Sequence, residues 1–286
     1  MAGIKELRLR ITSVGNIKQI TRAMEMVATT KLRRFQDRAM ASRPYAQEIA
    51  GLITRLAALL GDEITDRPLF QKRKAGKTLA LVISSDRGLC GAYNTSLFRS
   101  LEEWRADRDV DYFVYGRKAN TYMGKRDFEV RRFITDPTLE DIDYRNASIT
   151  ARMLTREFLE GDYSEVWVQY TAFESMSRHV PTWAQFLPIE AGALQQGADS
   201  GGDVLLEPDA GTVFDQLVPR YLETRIYNAL LESLTSEYAS RRFAMKNATD
   251  AASDMQDELR SIYNRKRQET ITKELLDIVG GAEAVS

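Results

Sequence analysis

Cysteine and histidine occur once each in the 286 residues, as Cys90 and His179. A single cysteine excludes an internal disulfide and fits a reducing compartment. One thiol and one imidazole leave any metal site to carboxylates, and these stand in neither EF-hand nor HExxH spacing. No apolar run approaches the roughly 20 residues that a membrane-spanning helix needs. The first residues lack the apolar core of a signal peptide. Their basic, amphipathic character is shared with mitochondrial transit peptides, but Glu6, Glu25 and Asp37 and an apolar pattern that runs on to Phe35 argue against that reading.

Helix breakers are also missing over long stretches. Neither glycine nor proline occurs from Arg220 to Val279, and a continuous helix there would run roughly 90 Å at 1.5 Å per residue. The first proline is Pro44, and only Gly3 and Gly15 precede it in the N-terminal segment. The spacing of Ile4, Leu7, Ile11 and Val14 is 3-4-3. Ile17, Ile20, Met24 and Val27 repeat it one residue out of phase, so the apolar stripe is expected to broaden midway before Leu32 and Phe35 continue it. Leu52, Leu56 and Leu60 carry the helix past Pro44 to a stop near Gly61. At the other end, Met245, Ala248, Ala252, Met255, Leu259 and Ile262 form a heptad seam. A polar belt, Asn264–Thr270, interrupts it before Ile271, Leu275, Ile278 and Val279. Two such helices at opposite chain ends, joined by a folded body, are expected to pair antiparallel.

Between them the period changes. Thr78–Ser84, Asp111–Tyr115, Phe128–Ile134, Glu165–Phe173 and Thr182–Ile189 read as strands, and Asn94–Ala106 and Thr138–Leu159 as helices. The alternation predicts an α/β body with a mostly parallel sheet covered by helices. The expected divisions are an N-terminal coiled-coil helix (1–61), the body (76–195) and a C-terminal coiled-coil helix (211–286). Charge divides with them. Residues 1–43 carry ten basic and three acidic side chains, a net of +7, whereas residues 44–219 carry 20 basic and 27 acidic ones, a net of −7.

Chemistry is sparse. Ser84–Gly91 follows a strand and opens a helix, where α/β proteins place phosphates or nucleophiles. Its glycines match neither dinucleotide nor P-loop spacing, so no cofactor is expected. Cys90 as a nucleophile would need a base, and His179 stands 89 positions away beside Arg178 in an expected loop. A thiol hydrolase is therefore the weaker reading. Nucleic-acid binding by the basic N-terminal helix lacks aromatic interleaving and a recognised module. The belt Arg265-Lys266-Arg267 is different, because three consecutive cations point around much of a helix between two apolar stretches.

Ile20-Thr21-Arg22-Ala23-Met24-Glu25-Met26-Val27-Ala28, Ser85-Asp86-Arg87-Gly88-Leu89-Cys90-Gly91 and Tyr263-Asn264-Arg265-Lys266-Arg267-Gln268, with Ile271-Thr272-Lys273-Glu274 and Gly280-Gly281-Ala282 beyond, resemble the gamma subunits of F-type ATP synthases. The resemblance runs in order along the chain and looks bacterial. It implies a Rossmann-like, mostly parallel α/β body inserted between long helices that pair as an antiparallel coiled coil. It implies a non-catalytic rotor shaft that couples proton flow through a membrane ring to the alpha/beta catalytic sites and regulates both, with no cofactor. The implied partners are the alpha and beta subunits around the shaft, the epsilon subunit, the membrane c-ring and, in some bacteria, an inhibitory subunit, with no nucleic acid. The implied place is the cytoplasmic side of the cell inner membrane, as a peripheral protein. By the same resemblance Met24, Arg242, Lys246, Arg267, Gln268 and Thr272 are contact and coupling residues, and Leu206, Glu207 and Asp209 belong to the rotor foot. Lys266 and Glu269 depart from smaller residues common in the family.

Overall fold

The computed structural model describes residues 3–73, 75–190, 207 and 209–283. Leu206, one of the expected foot residues, lies outside them. The elements are α1 (Ile4–Leu60), β1 (Lys77–Ile83), α2 (Tyr93–Arg105), β2 (Val110–Tyr115), α3 (Arg117–Met123), β3 (Glu129–Ile134), α4 (Tyr144–Glu160), β4 (Tyr163–Phe173), β5 (His179–Leu187) and α5 (Ala210–Glu283). Both terminal helices contain a proline, Pro44 in α1 and Pro219 in α5. Each proline is exposed, so the backbone acceptor that loses its N–H partner is left facing water rather than the core. Among the described residues no helix is long and apolar enough to cross a membrane.

The chain divides into two compact units, Thr30–Ser240 and the pair of terminal segments Met1–Thr29 with Arg241–Ser286. In the first, five strands form one sheet in the order β3-β2-β1-β4-β5. The β1–β2, β2–β3 and β1–β4 pairs are parallel and β4–β5 is antiparallel. β1 is buried along nearly its whole length, as a central parallel strand must be when both faces are covered. On one face Ala80 and Val82 pack with Leu97 and Leu101 of α2 and with Ala119 and Met123 of α3. On the other, Tyr115 bonds Thr150 of α4 at 3.0 Å. The α5 segment of this unit is tied to β4, where Ser233 Oγ accepts from Thr171 N at 3.1 Å and Ser236 Oγ donates to Thr171 O at 3.1 Å.

Three sequence expectations change here. The helix expected over Thr138–Leu159 is a 3-10 turn (Leu139–Asp141) followed by α4, because the Asp143 carboxylate caps Asn146 N at 2.8 Å and starts a new helix. α3, only seven residues long, was not anticipated. His179 opens β5, paired with Phe173, instead of lying in a loop.

A half-buried carboxylate ties α1 to this body. Glu140 accepts hydrogen bonds from Lys31 of α1 and Tyr238 of α5, and Arg87 stands 3.8 Å away. Burial pushes the Glu140 carboxyl up, but the bonds from Lys31 and Tyr238 outweigh it and hold it below the ordinary range. A depressed carboxylate stabilises the fold above its unfolded pKa and loses that contribution as pH falls through the folded one. Unfolding midpoints measured from about pH 6 to about pH 3 are therefore expected to fall less steeply for Glu140→Gln than for the parent. Equal slopes would show that this carboxylate does not govern acid sensitivity.

Candidate functional site

Residues expected to make contacts lie mostly in the unit of paired terminal segments. α1 and α5 run antiparallel there. As the α1 position advances from Arg8 through Gly15 and Lys18 to Thr21, its partner on α5 retreats from Tyr263 through Gln256 and Ser253 to Thr249. Arg8 Nη2 donates to Tyr263 at 3.0 Å, Lys18 Nζ to Ser253 Oγ at 2.9 Å and Thr249 to Thr21 Oγ1 at 2.8 Å. At Gly15 a Cβ would meet Gln256 Nε2 at 2.9 Å, so the helices approach closely at this level.

This register corrects the expected stripe. The inward line on α1 keeps the phase set by Leu7, Ile11 and Val14 and continues through Lys18, Thr21, Glu25, Ala28, Leu32 and Phe35, all buried or half-buried. Ile17, Ile20 and Val27 do not join it and are 50%, 60% and 56% exposed. On α5, Met245 and Ala252 are buried, while Met255 is exposed and Gln256 takes the inward position. Spacing of 3 and 4 residues fixes a face whatever its chemistry. The seam therefore runs through polar residues, and the apolar ones that hydropathy singles out flank it. A polar pair contributes about 0.5–1.5 kcal/mol net, against about 1.5–3 kcal/mol for each fully buried Leu or Ile. This part of the coil is pinned in register without being locked by a thick apolar core.

Met24 is half-buried beside the inward line, at the level of Met245 and Lys246 by the register above; Arg242 is half-buried and Lys246 exposed. Farther along α5, Arg267, Gln268 and Thr272 are exposed. Lys266, in the belt, is half-buried and pairs with Glu269 at 3.4 Å. Beyond it Ile271, Leu275, Leu276, Ile278 and Val279 are all exposed. In the other unit Glu207 is exposed, and Asp209 caps α5, accepting from Thr212 N at 2.9 Å. That backbone N–H holds the Asp209 carboxyl below its ordinary range.

The loop after β1 lies against the N-terminus of α3. Ser84 Oγ accepts from Ala119 N at 2.9 Å and Asp86 Oδ1 from Arg117 N at 3.0 Å, so the N–H groups opening α3 already meet the chain's own oxygens. Cys90 is buried against Ser85 and Asn94, with Asn94 Nδ2 3.2 Å from its sulfur. The His179 ring lies by Phe173, and burial lowers its pKa. Its Nε2 has no hydrogen-bond partner among the described residues. A groove of about 400 Å³ lies beside Trp167, Ile189 and Tyr221. Its cation, Arg225, is engaged by the carbonyls of Gln185 and Phe186. No group of three or more His, Cys, Asp or Glu suited to a metal occurs among the described residues.

Comparison with known proteins gives a consistent answer. The family model described as ATP synthase matches residues 3–285. The ATP synthase gamma chain of Flavobacterium psychrophilum is 37% identical over 292 residues, covering 100% of this chain and 99% of that one. The gamma chain of Mycobacterium tuberculosis is 40% identical over 308 residues, covering 100% and 98%. Among solved structures, a chain of the Euglena gracilis mitochondrial ATP synthase, in an assembly of OSCP, F1 and c-ring, superposes with a TM-score of 0.69 at 22% identity, covering 99% of this chain and 94% of that one. A chain from the rotor of the same synthase gives 0.67 at 22% identity, with coverage of 94% and 98%. These structural likenesses bear on the fold, and the sequence relatives carry the family: the chain belongs to the ATP synthase gamma chain family.

Proposed function

We propose that this protein is the central rotor shaft of a proton-translocating F-type ATP synthase, a non-catalytic subunit that couples proton flow to ATP synthesis and hydrolysis and regulates both. The observation that carries the reading is the antiparallel pairing of the two chain ends, with apolar residues on its outside. A two-stranded coil resists bending and twisting better than one helix, which torque transmission requires. Register-setting polar pairs hold its strands against sliding. The exposed Ile17, Ile20 and Val27 and the apolar end of α5 are the surfaces that alpha and beta subunits enclose. Met24, Arg242 and Lys246 form one level of contact with beta, and Arg267, Gln268 and Thr272 a second. Cations on a shaft suit acidic levers, because solvent-screened contacts break at each step at low cost. Leu206, Glu207 and Asp209 belong to the foot that meets the epsilon subunit and the c-ring. The protein sits peripherally on the cytoplasmic side of the bacterial inner membrane. In bacteria that make an inhibitory subunit, that subunit is a further partner.

Co-expression with alpha and beta subunits tests the reading: a stoichiometric complex with ATPase activity is expected, and failure to assemble overturns it. The second contact level has its own test. Replacing Arg267 and Gln268 together with Leu leaves their partners on beta unpaired, at about 1–3 kcal/mol each. ATP hydrolysis by the assembled complex is expected to fall about tenfold or more, with assembly reduced less. Normal turnover by a normally assembled complex would make the belt a solvated face.

A further inference from the structure

The outward face of α4 carries charges that do nothing for the helix itself. Arg145, Ile149, Arg152, Arg156 and Leu159 follow one another at 4-3-4-3 spacing, and every one is exposed, so they form a single row about 21 Å long. Arg145 stands in the first turn of α4, where the helix dipole disfavours a cation. Arg152 and Arg156 are like charges one turn apart, also unfavourable. Arg132 of β3 widens the cationic strip, its Nη1 resting 3.0 Å from Met153 Sδ on α4.

Neutralisation from within the chain is incomplete. Arg152 reaches Glu223 at 2.9 Å, but that carboxylate is shared with Arg220 at 3.2 Å. The Asp143 Oδ1 beside Arg145 is taken by the N-cap bond and by Asn146 Nδ2. Among the described residues, Arg132, Arg145 and Arg156 have no carboxylate partner. On either side of the Arg152–Arg156 pair, Ile149 is 56% and Leu159 42% exposed. Arrangements that cost local stability without internal compensation mark functional surfaces.

We infer that this row is a docking face for an acidic helix that carries its own apolar residues at 3-4 spacing, on a neighbouring subunit of the complex. Two apolar anchors flanking an Arg152–Arg156 pair match an amphipathic helix laid alongside, with its carboxylates opposite the guanidinium groups. The row is one helix wide and contains no aromatic residue, which fits a linear partner better than the plane of an anionic membrane. The identity of the partner as a synthase subunit rests on the proposed function; the chemistry of the face does not.

The test uses the complex purified from membranes, with p-benzoylphenylalanine replacing Ile149. Irradiation is expected to give an adduct with another subunit at an acidic, apolar-containing helix, identified by mass spectrometry. Adduct yield should fall with rising salt and at least tenfold in Arg145→Glu/Arg156→Glu, with Arg145→Lys/Arg156→Lys close to the parent. Adducts with lipid alone, adducts with a second copy of this chain, no adduct in an assembled complex, or a yield indifferent to charge reversal would each overturn the inference. If the chain does not copurify with a synthase at all, the proposed function fails, and with it the partner's identity.

Discussion

Gly116→Ala is expected to destabilise the unit Thr30–Ser240 by about 3 kcal/mol or more, enough to remove most soluble protein. Gly116 follows β2 and precedes α3 with φ of +92°, and a Cβ built there would lie 2.1 Å from the Ser84 carbonyl oxygen and 2.6 Å from Ser84 Oγ. Neither neighbour can retreat. Ser84 Oγ is bonded to Ala119 N and to Tyr115 O at 2.9 and 3.2 Å, and Ser84 N to Tyr115 O at 2.9 Å. Moving Ser84 would disturb the junction where the central strand meets its neighbour and α3 begins. Gly51 is the control. It lies inside α1, where an added Cβ meets nothing within 4 Å, so Gly51→Ala should stabilise by about 0.5–1 kcal/mol. Thermal unfolding of the purified variants, with their yield in assembled complex, measures both. A Gly116→Ala protein that melts with the parent would mean that the β1–β2 junction relaxes more freely than its hydrogen bonds allow.

That junction also shows where reading the sequence reaches its limit. The run Thr78–Ser84 is legible as a central strand because both its faces are buried and every residue is apolar or small. Gly116 is not legible, because its role comes from a carbonyl 32 residues away. The helix α3 is too short to show a period, and the break between the 3-10 turn and α4 depends on a single Asp143 cap inside an otherwise continuous pattern. In α1 the 3-4 spacing was visible, but hydropathy attached it to the wrong residues. Which of two adjacent lines faces inward is set by the partner helix, and α5 presents Thr249, Ser253 and Gln256 to Thr21, Lys18 and Gly15 respectively. Polar residues spaced in phase with Leu7 and Phe35 were the available signal. The proposed contact residues rest on family resemblance alone, since exposed side chains such as Arg267 and Thr272 carry no internal pattern that distinguishes them from a solvated face.

Met24→Lys is expected to leave assembly intact and to lower the proton gradient generated per ATP hydrolysed several-fold. Met24 is half-buried next to the polar part of the seam, so the longer, flexible lysine can direct its ammonium outward without a cavity or a steric clash. Two consequences oppose smooth rotation. An ammonium at this level would form a charge-assisted bond with an acidic beta lever, about 1.5–3 kcal/mol, and the bond must be broken each time the shaft turns past. One such bond slows the step about 10- to 150-fold if it is intact before the step and lost at its barrier. It would also add a cation at the level of Lys246 on α5, which the antiparallel register places opposite. Repulsion between them strains the coil where polar pairs rather than apolar burial hold it. Removing that second charge with Lys246→Gln should therefore recover part of the coupling lost in Met24→Lys. Membrane vesicles provide the measurement, with ATP hydrolysis and fluorescence quenching by the proton gradient recorded on the same preparation. Unchanged coupling in Met24→Lys would place the lever at another level of the shaft. Lost coupling without recovery in the double variant would assign the defect wholly to the new bond with beta and none of it to strain within the coil.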